Sequence, residues 1–115
     1  MNSYTGIVQK GAKRGIALGY PTANISLQGE DISGIYVARV YVKEGEAPYI
    51  AAVFADPKRK ILEAYLLDFS NDLYGQTITV ELHKKIRESA TFSDDAVLRA
   101  TIAHDVESVR AYFKK

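Results

Sequence analysis

Short links between the β-type segments limit how this chain can fold. The segment 34–42 is dense in β-branched and aromatic residues, and only the turn 43–48 separates it from the next segment, 49–54. A parallel connection needs about a dozen residues or more, so these two segments are expected to pair antiparallel. The link 56–59, before the segment that begins at Leu62, leads to the same conclusion.

Three further segments have β character and complete a predicted sheet. They cover 3–10, 22–27 and 76–83, and the last of them alternates apolar with polar residues, as a strand with one buried face does. No helical pattern lies between the six segments. The sequence therefore predicts a mainly β fold, a six-stranded antiparallel, Greek-key-like closed barrel, because closure removes exposed sheet edges.

The C-terminal segment changes to a helical period. Apolar residues recur three or four positions apart from Leu98 to Phe113. Ser93 is the predicted N-cap, and Asp94 and Asp95 lie in the first turn, where the helix dipole favours anions. We therefore expect one amphipathic helix to pack on the barrel.

Length and composition favour one small cytoplasmic domain. The 115 residues are 47% hydrophobic and include no cysteine, which predicts a single domain over 1–115 with its own core and without disulfides. The chain shows neither a leader pattern nor an apolar run of membrane-spanning length, so no membrane contact is expected. The net charge of +1 argues against a nucleic-acid partner. We expect a monomer.

The glycine-rich segment 11–24 is the clearest candidate for a ligand site. It combines three glycines with the adjacent cations Lys13 and Arg14 and ends in Pro-Thr-Ala-Asn. Glycines allow backbone N–H groups to approach a ligand, and the cations add positive charge, which suits a bound phosphate. Composition alone also allows a plain hairpin loop with a polar strand start.

The segment ends with two residues that carry side-chain oxygens. Pro21 fixes the direction of the chain, and Thr22 and Asn24 then share one face of the strand, because alternate residues of a strand do. A hydroxyl and an amide carbonyl side by side are neutral oxygen ligands of the kind that a phosphate-bound Mg²⁺ accepts.

Glu63 is a charged residue among apolar and aromatic neighbours. Strand alternation places it on one face with Tyr65, Leu67 and Phe69, where the charged form of a carboxylate is disfavoured and the group is suited to act as a general base. The alternative is that the strand is buried on its other face and that Glu63 borders a surface aromatic cluster. The pattern alone leaves both open.

Two other features have simple structural explanations. Asp72 to Gly75 has the pattern of a β-turn, with aspartate at its start and glycine supplying the positive φ. His83 and His104 stand in no recognisable metal-binding or nucleophile pattern, so both are expected at the surface.

Three blocks of the chain resemble the riboflavin kinase family, the flavokinases that also form the C-terminal half of bacterial FAD synthetases. The blocks are Leu-Gly-Tyr-Pro-Thr-Ala-Asn at 18–24, the strand 62–69 with the turn 72–75, and Ile-Arg-Glu at 86–88 through Phe92 with Asp105 on the helix. They occur in the family's order and cover essentially the whole chain.

The resemblance implies an ATP:riboflavin 5′-phosphotransferase that forms FMN and ADP. Glu63 would accept the proton of the attacking riboflavin hydroxyl, and Thr22 and Asn24 would hold Mg²⁺ at the nucleotide phosphates. Further residues would surround the two ligands: Gly11, Lys13, Arg14, Gly15, Gly19 and Pro21 in the glycine-rich segment, and Tyr74, Arg87, Glu88 and Phe92 downstream.

Two departures from the family pattern leave turnover and the identity of the nucleotide donor open. Ile16 stands where the family usually has an arginine. The segment 53–59 and a tight link stand where the family has an Asn-x-Gly-x-x-Pro-Thr segment, which helps frame the ligand sites, followed by a longer connection. The alternative function is therefore a degenerate module that binds flavin or nucleotide without turnover. Because the sequence contains no adenylyltransferase region, FMN rather than FAD is the expected product.

Overall fold

A computed structural model describes residues 2–9, 22–27, 32–69, 72–90 and 92–114 of the chain. Within these ranges the protein has six strands and one helix, which are β1 (Asn2–Ile7), β2 (Ala23–Ser26), β3 (Gly34–Tyr41), β4 (Tyr49–Asp56), β5 (Ile61–Leu66), β6 (Thr77–Arg87) and α1 (Asp95–Phe113). The strands form one antiparallel sheet in the order β1-β6-β3-β4-β5-β2.

The sheet curls into a nearly closed barrel. Its two end strands meet where Gln9, just after β1, donates its backbone N–H to the carbonyl of Asn24 in β2 at 2.7 Å. The turn before β6 is tied to the same place, because Gly75 N donates to Val8 O at 2.9 Å. The predicted mainly β barrel of six antiparallel strands with one C-terminal helix is confirmed.

Alternate residues of each strand fill the barrel with apolar side chains. Ile25, Val40, Val53, Leu62 and Val80 are fully buried in this interior. The side of the sheet that points away from the interior is called the outer face below. Interior and outer residues alternate because successive side chains of a strand point to opposite sides.

The helix α1 packs on the outer face and forms a second apolar cluster there. Val109 of α1, Val37 of β3 and Leu67 after β5 are its buried members. The helix is capped by Asp94, whose Oδ1 accepts a hydrogen bond from Ala96 N at 2.8 Å. The predicted Ser93 cap is wrong by one residue, since the aspartate carboxylate, and not the serine hydroxyl, meets the first free N–H groups.

His83 lies beneath the C-terminal end of α1 and is not a surface residue, so that prediction is wrong. Its side chain is 5% exposed, Nε2 lies 2.7 Å from Glu81 Oε1, and its ring meets Tyr112 and Phe113 edge-on. Strand alternation puts His83 on the outer face, and the C-terminal end of α1 covers it there, which the sequence pattern does not reveal. β3 and β6 also shift register at this point, between Val37 and Ala38. His104 is exposed, as predicted.

A second register shift sets the direction of the last residues of β6. Ile35 pairs with Arg87, whereas Tyr36 pairs with Lys85, so Ile86 is the extra residue of a bulge. Bulges turn side chains to the other face of a strand. Arg87 thereby shares the outer face with Ile35, and β6 extends beyond the predicted end at residue 83.

Glycine is expected to be required at position 34 for stability, because β3 closely approaches this bulge there. Its φ is 101°, and a Cβ at this position would lie 2.7 Å from the Arg87 carbonyl oxygen. Gly34→Ala should therefore lower the free energy of unfolding by at least about 1–3 kcal/mol, the cost of a strained backbone with a steric contact added. Urea unfolding followed by circular dichroism measures the loss.

Gly45→Ala is the matched control for Gly34→Ala. Gly45 has a φ of 84°, but a Cβ there meets no atom within 4 Å. The control variant carries backbone strain without the contact and should lose less stability. Equal losses in the two variants would show that the approach to Arg87 contributes nothing.

Candidate active site

A cavity of about 360 Å³ lies between the outer face of the sheet and the N-terminal half of α1. Apolar side chains line most of it, with a few polar groups among them, as is typical of small-molecule sites. Its lining residues are Thr22, Ile35, Ala52, Val53, Phe54, Arg59, Glu63, Tyr65, Arg87, Ser89, Ala90, Phe92, Leu98, Ile102 and Asp105.

One row of paired residues crosses four strands of the outer face at the cavity. Asn24 pairs with Glu63, Glu63 with Phe54, and Phe54 with Ile35. Residues directly opposite in an antiparallel sheet have their Cβ atoms about 4.5–5.5 Å apart on the same face. The candidate metal ligand Asn24 and the candidate base Glu63 are therefore neighbours on the outer face.

The side-chain oxygen of Asn24 is buried and is unpaired within the described part of the chain. The residue is 3% exposed, and its Oδ1 has no hydrogen-bond partner among the described residues. Leaving such an atom unsatisfied costs about 1–3 kcal/mol. Thr22, two residues earlier, lines the cavity. An unpaired amide oxygen beside a hydroxyl suits an oxygen-seeking cation, so these residues fit Mg²⁺.

Glu63 faces the cavity from β5 with its side chain 14% exposed. Tyr65 and Leu67 share its face, as predicted, and pack against the cluster under α1. Phe69 does not, because β5 ends at Leu66 and Asp68 has a φ of 58°. The Phe69 ring instead packs beside the barrel interior, with its centroid 4.8 Å from that of Tyr49.

The strand that carries Glu63 is covered on both sides. Leu62, Ala64 and Leu66 point into the barrel, and Glu63 points toward the cavity. The alternative in which Glu63 borders a surface cluster is therefore only half correct, since the strand is buried on its other face but the carboxylate is also largely covered.

Arg59 is a site residue that the sequence analysis missed. Its Nη2 donates to Glu63 Oε2 at 3.0 Å, and its guanidinium lines the cavity. Arg59 belongs to the link between β4 and β5, where a charged residue usually indicates only solvent exposure. No spacing rule for loops would have found it.

Asp56, at the end of β4, holds Arg59 in place. Its Oδ2 accepts from Arg59 Nε at 2.6 Å, and its Oδ1 accepts from the backbone N–H groups of Lys58 and Arg59 at 3.1 and 3.2 Å. Burial raises the pKa of the Asp56 carboxyl, but the hydrogen bonds and charge of Arg59 outweigh it, so this pKa lies below its ordinary value of 3.8. The hydrogen bond to Asp56 also raises the pKa of Arg59.

Arg87 and Asp105 join β6 to α1 at the wall of the cavity. Arg87 Nε and Nη2 donate to the two carboxylate oxygens of Asp105, each at 2.8 Å. Asp105 is 4% exposed, and its hydrogen bonds raise the pKa of Arg87. The sequence held one signal for this pair, because Asp105 falls on the apolar stripe of the helix, where a carboxylate needs a partner.

The other predicted site residues divide into three groups. Phe92 lines the cavity as expected, whereas Glu88 is 75% exposed and pairs with Lys85 Nζ at 2.7 Å. Tyr74 is 56% exposed and is not among the lining residues. The candidates Gly11, Lys13, Arg14, Gly15, Gly19 and Pro21, together with Ile16, lie outside the described residues.

The turn 72–75 has the predicted geometry. Asp72 Oδ1 accepts from Tyr74 N at 2.8 Å, and Gly75 has a φ of 83°. Its aspartate and glycine thus have the structural role that the β-turn pattern predicts.

Comparison with known proteins places the chain in a family. A family model described as flavokinase, riboflavin kinase, matches residues 2–113. The chain belongs to the riboflavin kinase family. The bifunctional riboflavin kinase/FMN adenylyltransferase of Haemophilus influenzae is 38% identical over an alignment of 115 positions, which covers 94% of this chain. The chain spans 37% of the length of that relative.

Two solved structures share the fold. The riboflavin kinase from Trypanosoma brucei superposes with a TM-score of 0.70 at 27% identity, covering 98% of this chain and 80% of that one. A protein from Streptococcus pneumoniae named as a macrolide-efflux protein superposes with a TM-score of 0.81 at 28% identity, covering 94% and 38% of the two chains. In the part of the chain that the structure describes, no helix is long and apolar enough to cross a membrane.

Acid should remove the contribution of Asp56 to stability. Because the pKa of Asp56 is lower in the folded protein than its ordinary 3.8, the ionised group stabilises the fold above that value, and this stabilisation is lost as the pH falls through the folded pKa. At pH 7, Asp56→Asn should therefore unfold at a lower urea concentration than the wild type. The difference should shrink below pH 3.8, and a difference that is independent of pH would contradict the assignment.

Proposed function

We propose that this chain is an ATP:riboflavin 5′-phosphotransferase that depends on Mg²⁺ and forms FMN and ADP. The observation that carries the proposal is the pairing of Asn24 with Glu63 in the sheet, where Glu63 and Thr22 line an apolar cavity. Membership of the riboflavin kinase family and the named activity of the Haemophilus influenzae relative support it. We treat 1–115 as one kinase-like domain.

The cavity suits a flat, largely apolar ring system. Phe54, Tyr65 and Phe92 contribute aromatic surface, and Leu98 and Ile102 of α1 contribute aliphatic surface. Its volume of about 360 Å³ lies within the range of small-molecule sites. Aromatic rings stack on one another in offset or edge-on arrangements, which favours the isoalloxazine ring here.

Glu63 is the candidate base for the hydroxyl group. Its Oε2 is engaged by Arg59, whereas no hydrogen bond to Oε1 occurs among the described residues, so Oε1 can accept the proton of a substrate hydroxyl. A general base must come within about 2.6–3.2 Å of the oxygen whose proton it takes. Because Glu63 lines the cavity that we propose for the ring, it is positioned on the wall that a riboflavin side chain must approach.

Thr22 and Asn24 are the residues that would hold the metal. Both offer neutral oxygens, and Mg²⁺ typically takes its remaining ligands from water and substrate phosphates. When bound, Mg²⁺ neutralises part of the charge on the nucleotide phosphates. The contribution of the glycine-rich residues between Gly11 and Pro21 to phosphate binding stays a prediction from the family resemblance.

The proposed activity is tested by product analysis. We expect the protein, incubated with ATP, Mg²⁺ and riboflavin, to convert riboflavin to FMN with release of an equal amount of ADP, as measured by chromatography. Other nucleoside triphosphates and other divalent metals should be tested in parallel. If the protein binds riboflavin but forms no FMN under any of these conditions, the degenerate binding module is favoured.

Removal of the base and removal of the metal ligands should have different effects. Glu63→Gln keeps the shape of the side chain and loses the proton acceptor, so turnover should fall by a factor on the order of 10²–10⁴ while riboflavin and ATP binding change little. Thr22→Ala with Asn24→Ala deletes the oxygen ligands, so ATP binding should weaken in Mg²⁺ but not in its absence.

Steady-state kinetics and ATP titrations with and without Mg²⁺ separate the two effects, and each variant is the control for the other. A Glu63→Gln protein with turnover within a few-fold of the wild type would show that the carboxylate is structural. A double variant whose ATP affinity still rises on addition of Mg²⁺ would remove Thr22 and Asn24 from the metal site.

A further inference from the structure

We propose that Arg59 is a positioning residue that fixes the orientation of the Glu63 carboxylate for the reaction, an inference that rests on the proposed function. The contact of Arg59 with the candidate base is direct, because its side chain hydrogen-bonds the Glu63 carboxylate. Its Nη2 lies 3.0 Å from Glu63 Oε2, and its Nε lies 2.6 Å from Asp56 Oδ2. The guanidinium thus bridges two carboxylates at the mouth of the cavity.

The link between β4 and β5 holds the arginine in position. Asp56 binds the Arg59 side chain with one oxygen and two backbone N–H groups of the link with the other. Lys60, which ends the link, has a φ of 57°, so the chain turns sharply back into β5. The Phe54 ring lies below the guanidinium, with its centroid 6.0 Å from Arg59 Cζ. Backbone, carboxylate and ring together define where the guanidinium sits.

Burial distinguishes this pair from an ordinary surface ion pair. The Arg59 side chain is 44% exposed, but the side chains of Asp56 and Glu63 are each only 14% exposed. In the pair of Arg110 with Asp68, by contrast, the side chains are 50% and 73% exposed. Exposed ion pairs of that kind contribute little to the stability of the fold. A guanidinium shared by two largely covered carboxylates has a geometry that can orient one of them.

The consequence concerns which oxygen of Glu63 meets the substrate. A glutamate side chain has three rotatable bonds, and an unrestrained carboxylate would sample several rotamers. Engagement of Oε2 by Arg59 leaves Oε1 as the oxygen that can accept from a substrate. A catalytic group that is misplaced by about 1 Å can lose roughly 10²-fold in rate. Arg59 should therefore affect turnover more than substrate binding.

The test is a double-mutant cycle in the full chain. Arg59→Gln removes the positive charge and the ability to donate to both carboxylates at once. We expect kcat to fall roughly 10- to 100-fold while the KM for riboflavin stays within a few-fold of the wild-type value. In the Glu63→Gln background the same substitution should change kcat by no more than about threefold, because a positioning residue acts through the group it positions.

Lys58→Gln is the matched control. It removes one positive charge from the same link, but the Lys58 side chain has no ion pair or hydrogen bond among the described residues, so kcat should stay at the wild-type value. Arg59→Lys keeps the charge but can reach only one carboxylate at a time, because a lysine ammonium lacks the planar fork. It should restore part of the kcat that Arg59→Gln loses.

The possible results are distinct. Equal kcat values for Arg59→Gln and Lys58→Gln would overturn the inference and leave the proposed function intact. An equal loss from Arg59→Gln in both backgrounds would also overturn it, since Arg59 would then act on the substrate and not through Glu63. A wild-type protein that forms no FMN would overturn the proposed function and this inference with it.

Discussion

The pairing of β2 with β5 is the constraint on which the rest of the site depends. These strands lie far apart in the sequence, yet their register sets Asn24 directly against Glu63. A shift of one residue would turn every side chain of β2 to the opposite face. Ile25 would then leave the barrel interior and Asn24 would enter it, so the packing of the core fixes the register that the chemistry needs.

The sequence was enough to predict the strands, the helix and the family, because these depend on local patterns and motifs. Alternation and short links predicted the antiparallel barrel. The motif residues Thr22, Glu63, Arg87 and Phe92 all line the cavity. What the sequence could not show is the register of the strands and the pairing of β1 and β3 with β6 and of β2 with β5, since pairing across long stretches of chain leaves no local trace.

The errors have the same origin. His83 is buried because the end of α1 covers its ring, and a pattern of alternation cannot show which part of a strand a helix covers. The bulge of β6 sets the direction of Arg87, and alternation cannot show where a partner strand skips a residue. Arg59 was overlooked because its importance comes from Asp56 and Glu63, the two carboxylates around it, and not from its own position in a link. Asp105 is the exception, because a charged residue on an apolar stripe is a signal from which a buried partner could have been predicted.

Because the cavity lies outside the barrel, largely different residues of this small chain stabilise the fold and line the cavity. Apolar side chains fill the interior and hold the fold together, whereas most residues around the cavity come from the outer face, α1 and the segments that connect them. Selection can therefore alter the cavity walls for new ligands while the core sequence stays as it is. A small barrel organised in this way is free to diverge in specificity without first having to gain stability.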